Sequence, residues 1–196
     1  MTQIELTTHI NAPIERCFDM ARSIDLHLIS TQQTGEQAIA GRTSGLIELG
    51  ETVTFRAKHF GIWQTLTSKV TEFNYPYSFT DEMVSGAFKS FRHEHIFTAI
   101  NNQTVMRDVF IFASPFGIIG RFVNRLFLGW YMMNLLVKRN KVIKEVAEND
   151  TQTYEVLKTS YVLMFFTVTL SYNPYAQLKS WRVLFCAGVR PSYPGR

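Results

Sequence analysis

The chain carries very little cysteine. Cys17 and Cys186 are the only two in 196 residues, too few and too far apart for a disulfide framework or a thiolate metal site. That scarcity suits a reduced, cytoplasmic setting. The glycine loops that cradle phosphates, the Gly-x-Ser-x-Gly elbow and the paired-cysteine motif are all missing, so the chemistries they carry are not expected. The chain opens Met-Thr-Gln-Ile-Glu, with no basic start leading into an apolar run, and no secretory signal is expected. Its most apolar helical stretch is broken by Arg121, Arg125, Lys138 and Arg139. That leaves too short an uncharged run for an integral membrane span, although an amphipathic surface could still touch a membrane peripherally. A basic stripe is missing too. Five of the 20 Lys+Arg and one of the 16 Asp+Glu lie in residues 151–196, which leaves 15 of each in residues 1–150. The net charge of +4 therefore belongs to the tail, and nucleic acid is not an expected partner. No internal repeat or low-complexity segment interrupts the chain.

What remains is a length suited to one well-buried domain, with patterning to match. Ile4, Leu6 and Thr8 alternate with polar residues in a first strand ending near Ile10. Asn11-Ala12-Pro13 is a helix-start signal, with Asn11 as cap and Pro13 in the first turn of a helix over Ile14–Ala21. A short helix around Asp25–Ile29 follows, and residues 30–45, rich in Thr, Gln, Gly and Ser, read as a loop. Glu51–Phe60 and Ile62–Phe73 form a hairpin turning at Phe60-Gly61, with Val53, Phe55, Ala57 and His59 inward on its first arm. On the second arm Ile62, Gln64, Leu66, Ser68 and Val70 are the inward set. Ser78–Val84 supplies another strand after the punctuation of Asn74-Tyr75-Pro76-Tyr77.

The most informative stretch runs from Phe88 to Ala113. At period two, Phe91, His93, His95, Phe97 and Ala99 share one face, while Ser90, Arg92, Glu94, Ile96 and Thr98 share the other. Asn101-Asn102 tolerates the left-handed geometry of a two-residue turn. Counting outward from it sets Phe97 opposite Met106, His95 opposite Asp108, His93 opposite Phe110 and Phe91 opposite Phe112. A slip of one residue would destroy that agreement between facing side chains. The hairpin reads as one wall of an apolar pocket carrying a few polar groups. Arg92 and Glu94, beside Arg107 on the other face, form a solvated charge cluster.

After Ser114-Pro115-Phe116-Gly117 a helical pattern runs to about Glu148, with Ile119, Phe122, Val123, Leu126, Trp130, Met133, Val137 and Val142 as its apolar stripe. About thirty residues would span roughly 45 Å, enough to cross a sheet.

The order of elements and several runs of residues resemble the START-like (SRPBCC) superfamily. The runs are His59-Phe60-Gly61-Ile62, Glu72 to Phe79, Asp81 to Phe97, and Ser114-Pro115-Phe116-Gly117-Ile118-Ile119-Gly120. They are similar to a bacterial branch described as ligand-binding, cyclase/dehydratase-like or, loosely, cell-division inhibitors. The resemblance covers about residues 3–148. It implies an α+β helix-grip fold, a curved antiparallel sheet wrapped around a long C-terminal helix, in a domain spanning residues 1–150 with residues 151–196 as an atypical extension. It also implies a cavity between sheet and helix. Phe55, Phe91, Phe97, Met106, Phe110 and Phe112 would line its sheet side, with Val53 among them. Phe122, Leu126 and Trp130, with Ile119, would face them from the helix. The alternative for most of these residues is that they simply pack a solid core.

His59, His93 and His95 fall on the inward face. Neutral imidazole near neutral pH acts as acid, base or metal ligand, and Asp108 opposite His95 could fix its tautomer. The readings left open for His93, His95 and Asp108 are a buried structural or ligand-orienting group, catalytic acid–base residues, and a metal site. His-x-His without a third placed ligand is a weak metal signal, so no metal and no cofactor are assigned. The expected function is binding of a hydrophobic small molecule, lipid-like or polycyclic. The rivals are a cyclase/dehydratase-type enzyme using His93 or His95 as base, and an interaction protein of cell division or a membrane acting through the tail. In that tail Tyr161 to Leu170 has the composition of a strand or an aggregation-prone segment.

Overall fold

The computed structural model describes residues 1–114 and 127–149. Two tight hairpins organise its sheet. β6 (Ser90–Ile100) and β7 (Gln103–Ala113) are joined at Asn101 and Asn102, whose φ angles of 48° and 66° are the left-handed values that a two-residue hairpin turn demands. The register follows from that turn: Phe97 pairs with Met106, His95 with Asp108, His93 with Phe110 and Phe91 with Phe112, as the sequence predicts. β3 (Thr52–His59) and β4 (Ile62–Asn74) turn at Phe60 and Gly61, also with positive φ.

β1 (Thr2–Ile10), β2 (Gln37–Gly41) and β5 (Ser78–Ser85) complete the sheet. The seven strands lie in the order β1-β7-β6-β5-β4-β3-β2, each antiparallel to its neighbours. α1 (Ile14–Ala21) and α2 (Ile24–Ser30) link β1 to β2, and α3 (Gly129–Asn149) packs against β1, α1 and α2. This is the α+β helix-grip arrangement that the sequence implies.

Three buried clusters divide the interior. Phe18 of α1 is fully buried and meets the rings of Phe73, Tyr75, Phe79 and Phe97, with centroids 5.1–5.4 Å apart. Ile10, Met106 and Ile143 join it in one buried apolar cluster. A second cluster sets Ile4, Phe91, Phe110 and Phe112 against Leu136 of α3. A third joins Ile24 and Ile47 to Val53, Phe55 and Val70.

Several expectations are corrected. Asn11 does not cap α1. Pro13 holds that position without a side-chain hydrogen bond, and the Asn11 backbone N–H instead donates to Glu148 Oε1 of α3 at 2.7 Å. The loop expected over residues 30–45 contains a short 3-10 turn, Gln32–Thr34, and strand β2. β2 is mostly exposed and bulged, so pairing with β3 defines it rather than any buried alternation of its own. Ile62 points outward at 65 % exposure. On α3 the expected apolar stripe is misplaced, since Trp130 and Val137 are 65 % and 48 % exposed. The buried face carries Leu136, Arg139, Asn140, Ile143 and Ala147. Two of those positions are polar because they serve a buried carboxylate, and a reading keyed to apolar residues skips them. Phe122, Leu126 and the extension 151–196 lie outside the described residues. Among the described residues no helix is long and apolar enough to cross a membrane.

Candidate functional site

Sheet and helix do not close on each other everywhere. Between them lies a cavity of about 450 Å³, within the usual range for small-molecule sites. The inward residues of β3 and β4 form one wall: Val53, Phe55, Ala57 and His59, with Gln64, Leu66, Ser68 and Val70 opposite. Phe91, His93 and His95 of β6 and Phe110 of β7 extend that wall across the sheet. Leu128, Tyr131, Met132, Leu135, Leu136 and Arg139 cover it from the helix side.

Of the residues expected to touch a ligand, Phe55, His59, Phe91, His93, His95 and Phe110 line this cavity. Phe97 and Met106 do not, because α1 lies over that end of the hairpin and Phe18 packs against it. Phe112 is sealed behind Phe88 and Phe110, at ring distances of 5.5 and 5.4 Å. Trp130 faces away from the cavity. Phe122 and Leu126 fall on undescribed residues.

One polar group is set into the cavity wall, and three adjacent strands build it. Asp81 of β5 stands opposite His93 of β6, and His95 stands opposite Asp108 of β7. His95 Nδ1 lies 2.7 Å and His93 Nε2 3.1 Å from the same oxygen, Asp108 Oδ1. The far nitrogens turn toward Asp81 Oδ1, His95 Nε2 at 3.1 Å and His93 Nδ1 at 4.0 Å. From α3, Asn140 Nδ2 donates to Asp108 Oδ2 at 2.7 Å, and Arg139 Nη1 lies 3.6 Å from Asp108 Oδ1. Arg139 also donates from Nη2 to the Ala21 carbonyl at 2.7 Å.

Asp108 itself is wholly buried and touches no cavity space. Burial alone would raise its carboxyl. Hydrogen bonds from His93 and His95 outweigh that and hold it well below the usual carboxylate range. Asp81 is likewise held below its ordinary value, its burial outweighed chiefly by the hydrogen bond to His95. Burial, reinforced by the neighbouring His95, pushes His93 down to about 4, so its ring is neutral at neutral pH.

His59 does not join this group. Its Nδ1 hydrogen-bonds the Tyr131 hydroxyl at 2.7 Å, and burial lowers its pKa. Nearby, His27 stacks on Phe55 at 4.4 Å and stands 3.4 Å from Glu36. The cavity therefore has an apolar middle with two separate polar groups. Asp81, Arg139, Glu36 and Tyr131 escaped the sequence reading. Asp81 had a signal in hindsight, since it lies at the same alternation as Phe79 on a strand next to His93.

No family model and no curated protein matches the sequence. Solved structures do match in shape. TTHA0849 from Thermus thermophilus superposes with a TM-score of 0.60 at 14 % identity, covering 74 % of this chain and 95 % of that one. A START superfamily protein from Mycobacterium smegmatis gives 0.56 at 10 % identity, covering 73 % and 97 %. Major latex-like protein 151 from Panax ginseng gives 0.55 at 12 % identity, covering 74 % and 97 %. At such identities the likeness establishes shape alone. The chain has the START-like helix-grip fold.

Proposed function

We propose that the protein binds a hydrophobic small molecule, lipid-like or polycyclic, in the cavity between sheet and helix. The observation that carries this reading is an apolar cavity of about 450 Å³ that this sequence leaves unfilled beside an otherwise closely packed core. Interiors normally close such space, and each void forfeits dispersion contacts. The lining is also mixed in the way of a binding site, with aromatic and aliphatic walls and few polar groups. A ligand would set its apolar body between Phe55, Leu66 and Phe110 and its polar end against one of the two polar groups.

The test uses a polarity-sensitive apolar fluorophore. Saturable uptake by the wild type, competed by long-chain or polycyclic compounds, supports the reading. A flat titration with every probe would sink it.

A cyclase/dehydratase-type activity is the second reading. The geometry favouring it is the fixed pair of imidazoles at the cavity wall, backed by the buried Asp108 carboxylate. In that case His95→Ala would abolish turnover of an added substrate while leaving its affinity close to normal.

A further inference from the structure

The wall group gathers two imidazoles and a carboxylate at one point of the cavity wall. Ionised Asp108 can only accept. It is approached by His95 Nδ1 at 2.7 Å and His93 Nε2 at 3.1 Å, so each ring turns one nitrogen to the same carboxylate oxygen. The second nitrogens, His93 Nδ1 and His95 Nε2, both face Asp81 Oδ1, at 4.0 and 3.1 Å. One ligand atom from each of the three residues lies within 4.8 Å of the other two. These three atoms converge at the edge of the cavity, where a cation would be held by all of them.

We propose that Asp81, His93 and His95 bind a divalent first-row transition ion of the Zn²⁺ or Fe²⁺ type. Two imidazoles and a carboxylate suit such ions, with donor–metal distances of about 2.0–2.2 Å. Donors at that radius stand roughly 3–3.5 Å apart in tetrahedral or octahedral geometry. The 3.1 Å pair is already in place, and with all three atoms within 4.8 Å of one another no pair has to close by more than about 2 Å.

The surroundings are those of a metal site. Ligating imidazoles characteristically donate their second N–H to a buried carboxylate, and Asp108 receives both. Phe79 stacks on the His95 ring at 4.2 Å, and Phe110 meets His93 edge-on at 5.2 Å, so neither ring is free to turn. Arg139 offsets the Asp108 charge, leaving Asp81 as the anion that faces the ion.

Three protein ligands leave coordination positions open toward the cavity. The bound ion would keep one net positive charge, and Arg139 lines the same space. Together they would receive an anionic oxygen of a cavity ligand, such as a carboxylate or an enolate. The metal site itself does not depend on the hydrophobic-ligand reading.

The experiment is calorimetric titration of chelator-treated full-length protein with Zn²⁺, with Co²⁺ absorption as a second readout of the ligand set. The expected result is one saturable equivalent per chain. Asp81→Asn and His95→Gln should each weaken it about 100-fold or more, Asp108→Asn by about 10–100-fold, and exposed His9→Ala not at all. Asp81 has a 22 % exposed side chain, and Asn keeps its shape, so that variant carries the test if His95→Gln fails to fold. Absence of saturable binding to the wild type would overturn the proposal. Binding that survives both Asp81→Asn and His95→Gln would overturn it equally.

Discussion

Asn140 of the long helix donates from Nδ2 to Oδ2 of Asp108 on β7 at 2.7 Å. Asn140 is buried and Asp108 wholly so, and this bond links the helix to the sheet beneath it. Replacing Asn140 by Ala removes one of the acceptor's partners in a dry setting. The expected loss is about 1–3 kcal/mol of unfolding free energy, against a few tenths for Asn134→Ala on the exposed side of the same helix. Urea denaturation of the two variants in parallel checks this. Equal effects would mean that the bond does not hold the helix.

Phe18 meets four aromatic rings at the closed end of the molecule and lines no part of the cavity. Phe18→Ala should cost about 3–5 kcal/mol of stability. In the fraction that stays folded, affinity for an apolar probe should remain within about twofold, since 1.4 kcal/mol of lost contact would already be tenfold. Separate stability and binding titrations distinguish the two effects.

Ala57 is buried and looks into the cavity, whereas Lys58 next to it points to solvent. Ala57→Trp places an indole in the ligand's space, and Lys58→Trp places it outside. The first should lower probe affinity at least about tenfold, equivalent to 1.4 kcal/mol, and the second should leave it unchanged. Comparable affinities in the two variants would put the probe elsewhere on the protein.

Burial alone would raise the Glu36 carboxyl, but the His27 imidazole 3.4 Å away, with Thr31 and the more distant His59, outweighs it and brings the net value below normal. A carboxyl with a depressed folded pKa stabilises the protein above its unfolded pKa of about 4.3, and that contribution disappears as pH falls through the folded value. Glu36→Gln should therefore lower the melting temperature at pH 6 and lose that difference toward pH 3. Melting curves across the range decide it. A difference independent of pH would assign the loss to packing.

The hairpin of β6 and β7 was legible because Asn101-Asn102 fixes a starting point for counting. Everything paired from that turn, including His95 with Asp108, came out in register. Asp81 was not legible by the same route. β5 reaches β6 through Gly86–Lys89 rather than a two-residue turn, and its pairing with β4 is interrupted by two irregularities, so no count from sequence places Asp81 opposite His93. Arg139 and Asn140 were hidden by their polarity. The hydrophobic period of the helix marks apolar positions, and here the buried face spends two positions on serving Asp108 while Trp130 stays outside. The grouping of His59 with His93 and His95 rested on a shared face alone. The structure separates it, because a face extends along the whole strand and Tyr131 holds His59.

The most direct measurement is native mass spectrometry of the freshly purified protein beside a denatured control. The account expects an added mass of a few hundred daltons, lost on denaturation, reduced in Ala57→Trp and retained in Lys58→Trp. A wild type without added mass, which also takes up no apolar compound at saturating concentration, would contradict the claim that this cavity is a binding site.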